Sequence, residues 1–379
     1  MAARITSHRP VGSAAQDERY TRLALSLGER NLGRTWPNPS VGAVVVDERG
    51  GAARIVAQGI TQPGGRPHAE RVALMAAGSG ARGGTLYVSL EPCSHHGKTP
   101  PCIDAVIGSG IARVVTALED PDERVSGQGH ARLREAGITV VTGYLANEAR
   151  RAHRGHITRV TLGRPAVTLK LARTSDGFAG WRQGPRLVIS GEGAQARVHL
   201  MRAHADAVMV GVSTVLADDP LLNVRLPGLE DRSPVRIVLD SHLRTPPTAR
   251  IVAAAREAPT WIVTTADAPI DAERALVARG VEVMRVDADP GGRVALGEAL
   301  ALLGARGLTR LFCEGGPALA EALAAADLVD EMALITGEAM SGKGDVPALL
   351  PHLAARVRRM QVLGEEQVGT DRFSFYERR

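Results

Sequence analysis

Two short stretches constrain this chain more than any others: His68-Ala69-Glu70, and Glu91-Pro92-Cys93-Ser94-His95-His96-Gly97-Lys98-Thr99-Pro100-Pro101-Cys102. One imidazole and two thiolates are donors that Zn²⁺ prefers, and three protein donors leave a fourth tetrahedral position open for a water, as in catalytic sites. Glu70 is too close to His68 along the chain to add a good fourth ligand, but it is well placed to hold that water and carry its protons. The set follows the H-x-E and P-C-x-x-C pattern of zinc deaminases, with eight residues between the cysteines in place of two. Either short motif alone arises by chance in many chains, but together they use two of only three cysteines. His95 or His96 could instead be a fourth ligand, and a closed site would lose the water.

The surrounding pattern places these residues at element ends. Apolar spacing and turn chemistry predict an opening helix over 17–33 and a hairpin of strands 40–46 and 55–60. Helices 68–77, 101–109 and 131–136 then alternate with strands 85–90, 113–117 and 138–142, which implies a sheet covered by helices on both faces. His68 would open one helix, Cys102 would lie in the first turn of another, and Cys93 would follow a strand. Helix N-termini favour thiolate over thiol. Asn38, between Pro37 and Pro39, could hydrogen-bond a substrate ring or only form a turn.

Residues 147–163 are rich in Arg and His and poor in apolar side chains, and read as a linker, or a short connecting helix, between a first domain (17–146) and a second (164–379), with 1–16 a disordered tail. The cluster Arg150, Arg151, His153 and Arg154 is short and lacks interleaved aromatics, so it reads as a solvated face and not a nucleic-acid patch. The second half is again α/β, with strands at 166–172, 207–212, 235–240, 261–265, 281–286, 310–313 and 331–336, helices at 194–203, 294–305 and 318–325, and a closing strand at 373–376. No G-x-G-x-x-G follows its first strand, so the Rossmann fingerprint is absent. Phe312-Cys313-Glu314-Gly315-Gly316-Pro317 reads as strand, two glycines and helix, a turn whose amides could approach a phosphate or simply admit a helix. Lys170, polar in an apolar strand, is a candidate for positioning substrate or a proton, or else an edge-strand lysine. Cys313 reads as a small core residue.

With Pro37-Asn38-Pro39-Ser40-Val41-Gly42, Pro67-His68-Ala69-Glu70, the Cys93 to Cys102 run and Gly211 to Pro220 taken together, the chain resembles the bifunctional riboflavin-biosynthesis deaminase/reductase family over nearly its full length. The resemblance implies a cytidine-deaminase-like three-layer α/β/α domain followed by a dihydrofolate-reductase-like α/β domain. It implies hydrolytic deamination of a phosphoribosylated diaminopyrimidine, then NADPH-dependent reduction of the ribose to a ribityl chain. The Zn²⁺ ligands would be His68, Cys93 and Cys102, with Glu70 catalytic. By the same resemblance Ala172, Thr214, Asp218 and the turn Gly316-Pro317-Ala318-Leu319 contact NADPH, while Arg202, Leu222, Arg225 and Glu314 contact substrate; Arg202 and Arg225 would anchor its phosphate. His95, His96, Lys98 and Thr99 offer donors suited to a ribose phosphate beside the metal. The loop after Ala172 departs from the family: Arg186 and Val188 stand where Ser and Trp are expected, and Trp181 is the aromatic available to replace the latter.

The length suggests two domains that need no disulfides, and three cysteines fit a reducing cytosol. No apolar leader or long hydrophobic segment is present, so a cytoplasmic protein without membrane contact is expected. The net charge of +5 suits small phosphates and NADPH, and 3% aromatic residues argue against a single-strand stacking platform. A small-molecule substrate and a homo-oligomer are therefore expected, without nucleic acid. The competing readings are a tRNA or single-stranded-DNA base deaminase with a C-terminal binding module, and a scaffold with a structural zinc.

Overall fold

The computed structural model describes residues 13–49, 52–97, 99–181, 187–342 and 346–379. The chain divides into two compact units, the first ending at Leu162 and the second beginning at Gly163.

The first unit opens on α1 (Ala14–Glu29), whose cap Ser13 and Gln16 satisfy each other's backbone amides. The helix thus begins inside the segment expected as a disordered tail; residues 1–12 lie outside the described residues. Strands β1 (Gly42–Asp47) and β2 (Arg54–Ile60) form the expected antiparallel hairpin. Then come α2 (Ala69–Ala77), β3 (Thr85–Val88), α3 (Cys102–Ser109), β4 (Arg113–Thr116), α4 (Gln128–Glu135) and β5 (Thr139–Thr142). The sheet order is β2-β1-β3-β4-β5.

Each central strand buries both faces, and consecutive residues enter different cores. Val45, Leu86 and Val114 pack with Ala69, Ala73 and Ile103 of α2 and α3, while Val44, Val46, Tyr87 and Val115 pack with Tyr20, Ala24 and Leu27 of α1. This is the three-layer α/β/α arrangement that period-two alternation with apolar residues on both sides requires. On the α1 side Arg113 makes a buried two-pronged pair with Asp17 (2.7 and 2.6 Å), and the Tyr87 hydroxyl is shared between Asp17 and Glu48. Removing one partner of such a pair costs about 3–5 kcal/mol.

The stretch expected as a linker or short connecting helix forms two helices, α5 (Ala146–Ala152) and α6 (Arg154–Leu162), grouped with the first unit. His153 between them is buried, its Nε2 3.1 Å from both the carbonyl and the hydroxyl oxygen of Ser89, and so is not part of a solvated basic face. Only Arg150 keeps the expected exposed character, against Asn147. A His- and Arg-rich segment reads as polar when its few buried contacts are made by imidazoles.

The second unit starts with β6 (Ala166–Arg173) and a short β7 (Phe178–Gly180), followed by α7 (Glu192–Ala203), β8 (Ala207–Gly211), α8 (Val212–Asp218), β9 (Val235–Leu239), α9 (Arg250–Ala253), β10 (Thr260–Thr265), α10 (Ile270–Val277) and β11 (Glu282–Val286). It continues through α11 (Leu296–Ala305), β12 (Arg310–Cys313), α12 (Pro317–Ala325), β13 (Glu331–Thr336), β14 (Val346–Pro347), α13 (Pro351–Arg359), β15 (Gln361–Val368) and β16 (Asp371–Glu377). The main sheet runs β11-β10-β9-β8-β12-β6-β13-β16-β15. Pairing is parallel from β11 to β13 and antiparallel for the last two strands. β7 pairs separately with β14.

Lys170 lies on β6, which is paired on both sides, so the edge-strand alternative for this lysine does not hold. Cys313 is fully buried, and burial pushes its thiol up to about 12, as a core residue requires. The carboxyl ends of β6, β8 and β12 lie side by side, which in open parallel sheets is where ligands bind. No helix among the described residues is long and apolar enough to cross a membrane.

Candidate active sites

In the first unit, His68 caps α2 in an extended conformation and Glu70 sits in its first turn. The helix start can approach the sheet because β2 has Gly59 at the crossing: a Cβ there would lie 2.2 Å from the Ala69 carbonyl oxygen. Cys102 is the first residue of α3, behind the cap Pro101. His68 Nδ1 is 3.6 Å from Cys93 Sγ and 3.3 Å from Cys102 Sγ, and the Cys102 amide donates to Cys93 Sγ at 3.2 Å. These three donors fall within 4.8 Å of one another; neither His95 nor His96 belongs to the group.

A hydrogen bond from Cys102, followed by those from His68 and the Cys102 amide, holds the Cys93 thiol down to about 4 against its burial. His68 is raised, chiefly by its hydrogen bond to Cys93. Cys102, bonded to the Cys93 sulfur and buried, is pushed up. The cluster thus already carries thiolate character, the form that binds a soft or borderline cation. Two sulfurs and an imidazole nitrogen converging at the starts of two helices fit Zn²⁺. Glu70 is 3% exposed, and desolvation raises its carboxyl, with His68 opposing.

His68, Glu70 and Cys93 line a pocket. Asn38 lines it, and its Nδ2 donates to the Gly65 carbonyl at 2.9 Å while its backbone carbonyl accepts from the Thr35 hydroxyl. The residue therefore both shapes a turn and faces the pocket. His95 and Arg66 also line it, and Arg66 bonds the Thr99 hydroxyl of the inter-cysteine run; Lys98 lies outside the described residues. The motif reading missed Asp120, Asp122, Arg124, His156 and Arg159, which complete the wall. Asp120 and Asp122 follow the end of β4, and His156 and Arg159 come from α6. Asp122 forks onto Arg124, whose hydrogen bond holds it down to about 2. Only the i, i+3 spacing of His156 and Arg159 could have signalled a common helix face.

In the second unit a cleft lies over the carboxyl ends of β6, β8 and β12. Lys170, Ala172, Thr214, Asp218, Gly316 and Pro317 line it, as do Arg202, Arg225 and Glu314. Ala318 and Leu319 do not line it, and Leu222 is turned away: at φ 54° its side chain enters the apolar core and only its backbone remains to meet a ligand. Of the two aspartates in Asp218-Asp219, the first faces the cleft and the second accepts from the Arg250 amide at the start of α9.

Arg202 is largely engaged: its Nε and Nη2 grip the Glu314 carboxylate and its Nη1 donates to the Asn223 carbonyl at 3.0 Å, which leaves one N–H on each Nη for a ligand. Burial pushes the Glu314 carboxyl up, but the Arg202 fork outweighs it and the group ends below its ordinary value. Arg225 has no carboxylate partner among the described residues; its Nη1 meets Asn223 Oδ1 at 2.8 Å. Burial, then the charges of Arg202 and Arg250, push its pKa down, which marks an electropositive spot suited to an anion. Gly316 caps α12 ahead of Pro317, and a Cβ on it would meet no protein atom, so the space above the helix start is open for a phosphate. Trp181 and Val188 both line this cleft, so an aromatic remains available to it; Arg186 lies outside the described residues.

The two sites define a class: one chain carrying a zinc-type deaminase pocket and a reductase cleft. Comparison with known proteins agrees. The cytidine and deoxycytidylate deaminase zinc-binding region matches residues 14–118, and the RibD C-terminal domain matches residues 165–373. The riboflavin biosynthesis protein RibD of Aquifex aeolicus (strain VF5) is 39% identical over 358 residues, covering 93% of this chain and 97% of the relative. That of Escherichia coli (strain K12) is 40% identical over 330 residues, covering 84% and 86%. Among solved structures, Acinetobacter baumannii RibD is similar with a TM-score of 0.83 at 30% identity, over 96% of this chain and 99% of that one. The diaminohydroxyphosphoribosylaminopyrimidine deaminase/5-amino-6-(5-phosphoribosylamino)uracil reductase of Thermotoga maritima gives 0.81 at 32%, over the same shares. The chain belongs to the RibD family. It is a bifunctional riboflavin-biosynthesis enzyme with deaminase and reductase activities that uses Zn²⁺ and NADPH, and the nucleic-acid deaminase reading is not favoured.

Proposed function

We propose that the first unit deaminates 2,5-diamino-6-(5-phosphoribosylamino)pyrimidin-4(3H)-one and that the second reduces the ribose of the resulting 5-amino-6-(5-phosphoribosylamino)uracil. The observation that carries this reading is that Glu70, His68 and Cys93 line one pocket, with Cys102 completing the donor cluster behind it. His68, Cys93 and Cys102 would hold Zn²⁺, which when bound supplies Lewis acidity. Glu70 takes a proton from the attacking water and returns protons to the ring and to departing ammonia. Burial raises its affinity for that proton, which suits a group that must both accept and release it. Asn38, whose side-chain nitrogen donates to Gly65, has its side-chain oxygen Oδ1 left to accept from the pyrimidine.

In the second unit NADPH, when bound, supplies a hydride. Ala172, Thr214, Asp218 and the Gly316-Pro317 helix start hold it, with Ala318 and Leu319 contributing through the helix backbone. Arg225 takes the substrate phosphate, Glu314 and Lys170 meet the ring-opened sugar, and Arg202 fixes Glu314. Leu222 contributes its backbone. The substrate is a small phosphorylated molecule, and the protein acts as a homo-oligomer in the cytoplasm. The deaminase domain runs to Leu162, not to 146, because His156, Arg159 and Val160 of α6 complete its pocket. Ammonia release and NADPH oxidation, followed separately on the diaminopyrimidine ribotide, test the whole reading.

A further inference from the structure

The deaminase pocket has one wall that neither the zinc motif nor the proton carrier explains. Asp120 and His156 are 6% and 8% exposed, and His156 Nε2 lies 2.9 Å from Asp120 Oδ1. The same oxygen accepts from the Asp122 amide at 2.9 Å. Oδ1 is thereby fully used, while Oδ2 makes no bond among the described residues and is not among the buried unpartnered atoms, so it is the oxygen that opens to the pocket. His156 Nδ1, by contrast, is buried with no partner.

We propose that His156 is a positioning residue for deamination: through Nε2 it fixes the Asp120 carboxylate so that Oδ2 accepts hydrogen bonds from a donor edge of the heterocycle. This rests on the substrate reading above. A diaminopyrimidine keeps its 5-amino and 6-amino N–H groups through the reaction, and a carboxylate held at one angle recognises such donors, whereas a freely rotating one does not. Helix α6 is then a substrate-selecting element of the pocket, delivering His156 and Arg159 from one face.

The test uses the full-length, zinc-loaded chain and measures KM and kcat for ammonia release, with zinc content and reduction of the deaminated intermediate as controls of folding. Asp120→Asn is informative because the amide oxygen can still accept from Asp122 and His156, while the pocket-facing atom changes from acceptor to donor. His156→Phe removes the bond and keeps the burial; His156→Gln can restore a donor to Asp120. His156→Phe should raise KM roughly tenfold with kcat changed less than about threefold, and Asp120→Asn should do at least as much. The double variant should be no worse than Asp120→Asn alone, because His156 acts only through Asp120. His156→Gln should recover most of the loss, and it decides the matter if His156→Phe sheds zinc. Unchanged KM in His156→Phe, multiplying effects in the double variant, or His156→Gln as impaired as His156→Phe would each overturn the proposal. A wild type that releases no ammonia would instead sink the substrate reading.

Discussion

Arg202 and Glu314 form a two-pronged ion pair across the reductase cleft, with Nη2 2.9 Å from Oε2 and Nε on Oε1, and both side chains largely buried. A buried pair of this kind is costly to break one-sidedly, because the survivor is left charged without a partner. It fixes a carboxylate just past β12 at the point where ligand is expected.

Glu314 therefore predicts a pH dependence of stability. Its folded pKa is below the ordinary 4.5, so its contribution is present above that value and is lost as pH falls through the folded pKa. In Arg202→Met burial is opposed only by the charges of Lys170 and His199, so the folded pKa rises and protonation costs the variant less than the wild type. Thermal melts should show a loss of about 3–5 kcal/mol at pH 7, narrowing as the pH approaches 4. A pH-independent gap would show that the pair is not electrostatically coupled.

Glu70→Gln should retain zinc and abolish ammonia release, since an amide still hydrogen-bonds water but carries no proton. NADPH oxidation with the deaminated intermediate should survive. Ammonia release near the wild-type rate would remove Glu70 from its role.

Arg225→Met should raise the reductase KM for the ribotide about tenfold or more, from the loss of a charged hydrogen bond of about 1.5–3 kcal/mol, with deamination untouched. An unchanged KM and weakened NADPH affinity would assign Arg225 to the cofactor's phosphate.

A chain beginning at Gly163 should reduce the deaminated intermediate, because Arg164 is anchored within that unit by a buried fork onto Asp330 (2.6 and 2.9 Å). A fragment ending at Leu162 should deaminate, whereas one ending at Ala146 should not, since it lacks His153 on Ser89 and His156 on Asp120. Equal activity of the two N-terminal fragments would return residues 147–163 to the role of a linker.

Much of this architecture was readable from pattern. The strands of both sheets announce themselves because central strands bury both faces, and His68, Glu70, Cys93 and Cys102 are tied to rare residue types at fixed spacing. What was hidden depends on tertiary context. Helix α6 buries Gly155, His156 and Thr158, whose hydropathy gives no apolar stripe. Strand β15 is exposed over nearly its whole length, with no alternation of apolar residues to mark it, and is placed by pairing with β16. Leu222 carries the name of a site residue, yet its positive φ sends the side chain into the core, and no one-dimensional reading contains that angle. Arg202 and Arg225 look alike in sequence, but only the fold shows that one is neutralised by Glu314.

The most direct test of the account mixes the full-length protein with the diaminopyrimidine ribotide and follows ammonia and NADPH independently, with and without NADPH. Ammonia should appear at the same initial rate whether or not NADPH is present, and NADPH should be oxidised only after a lag, approaching one equivalent per ammonia released. NADPH oxidation without ammonia, or ammonia release that requires NADPH, would contradict two separate sites acting in that order.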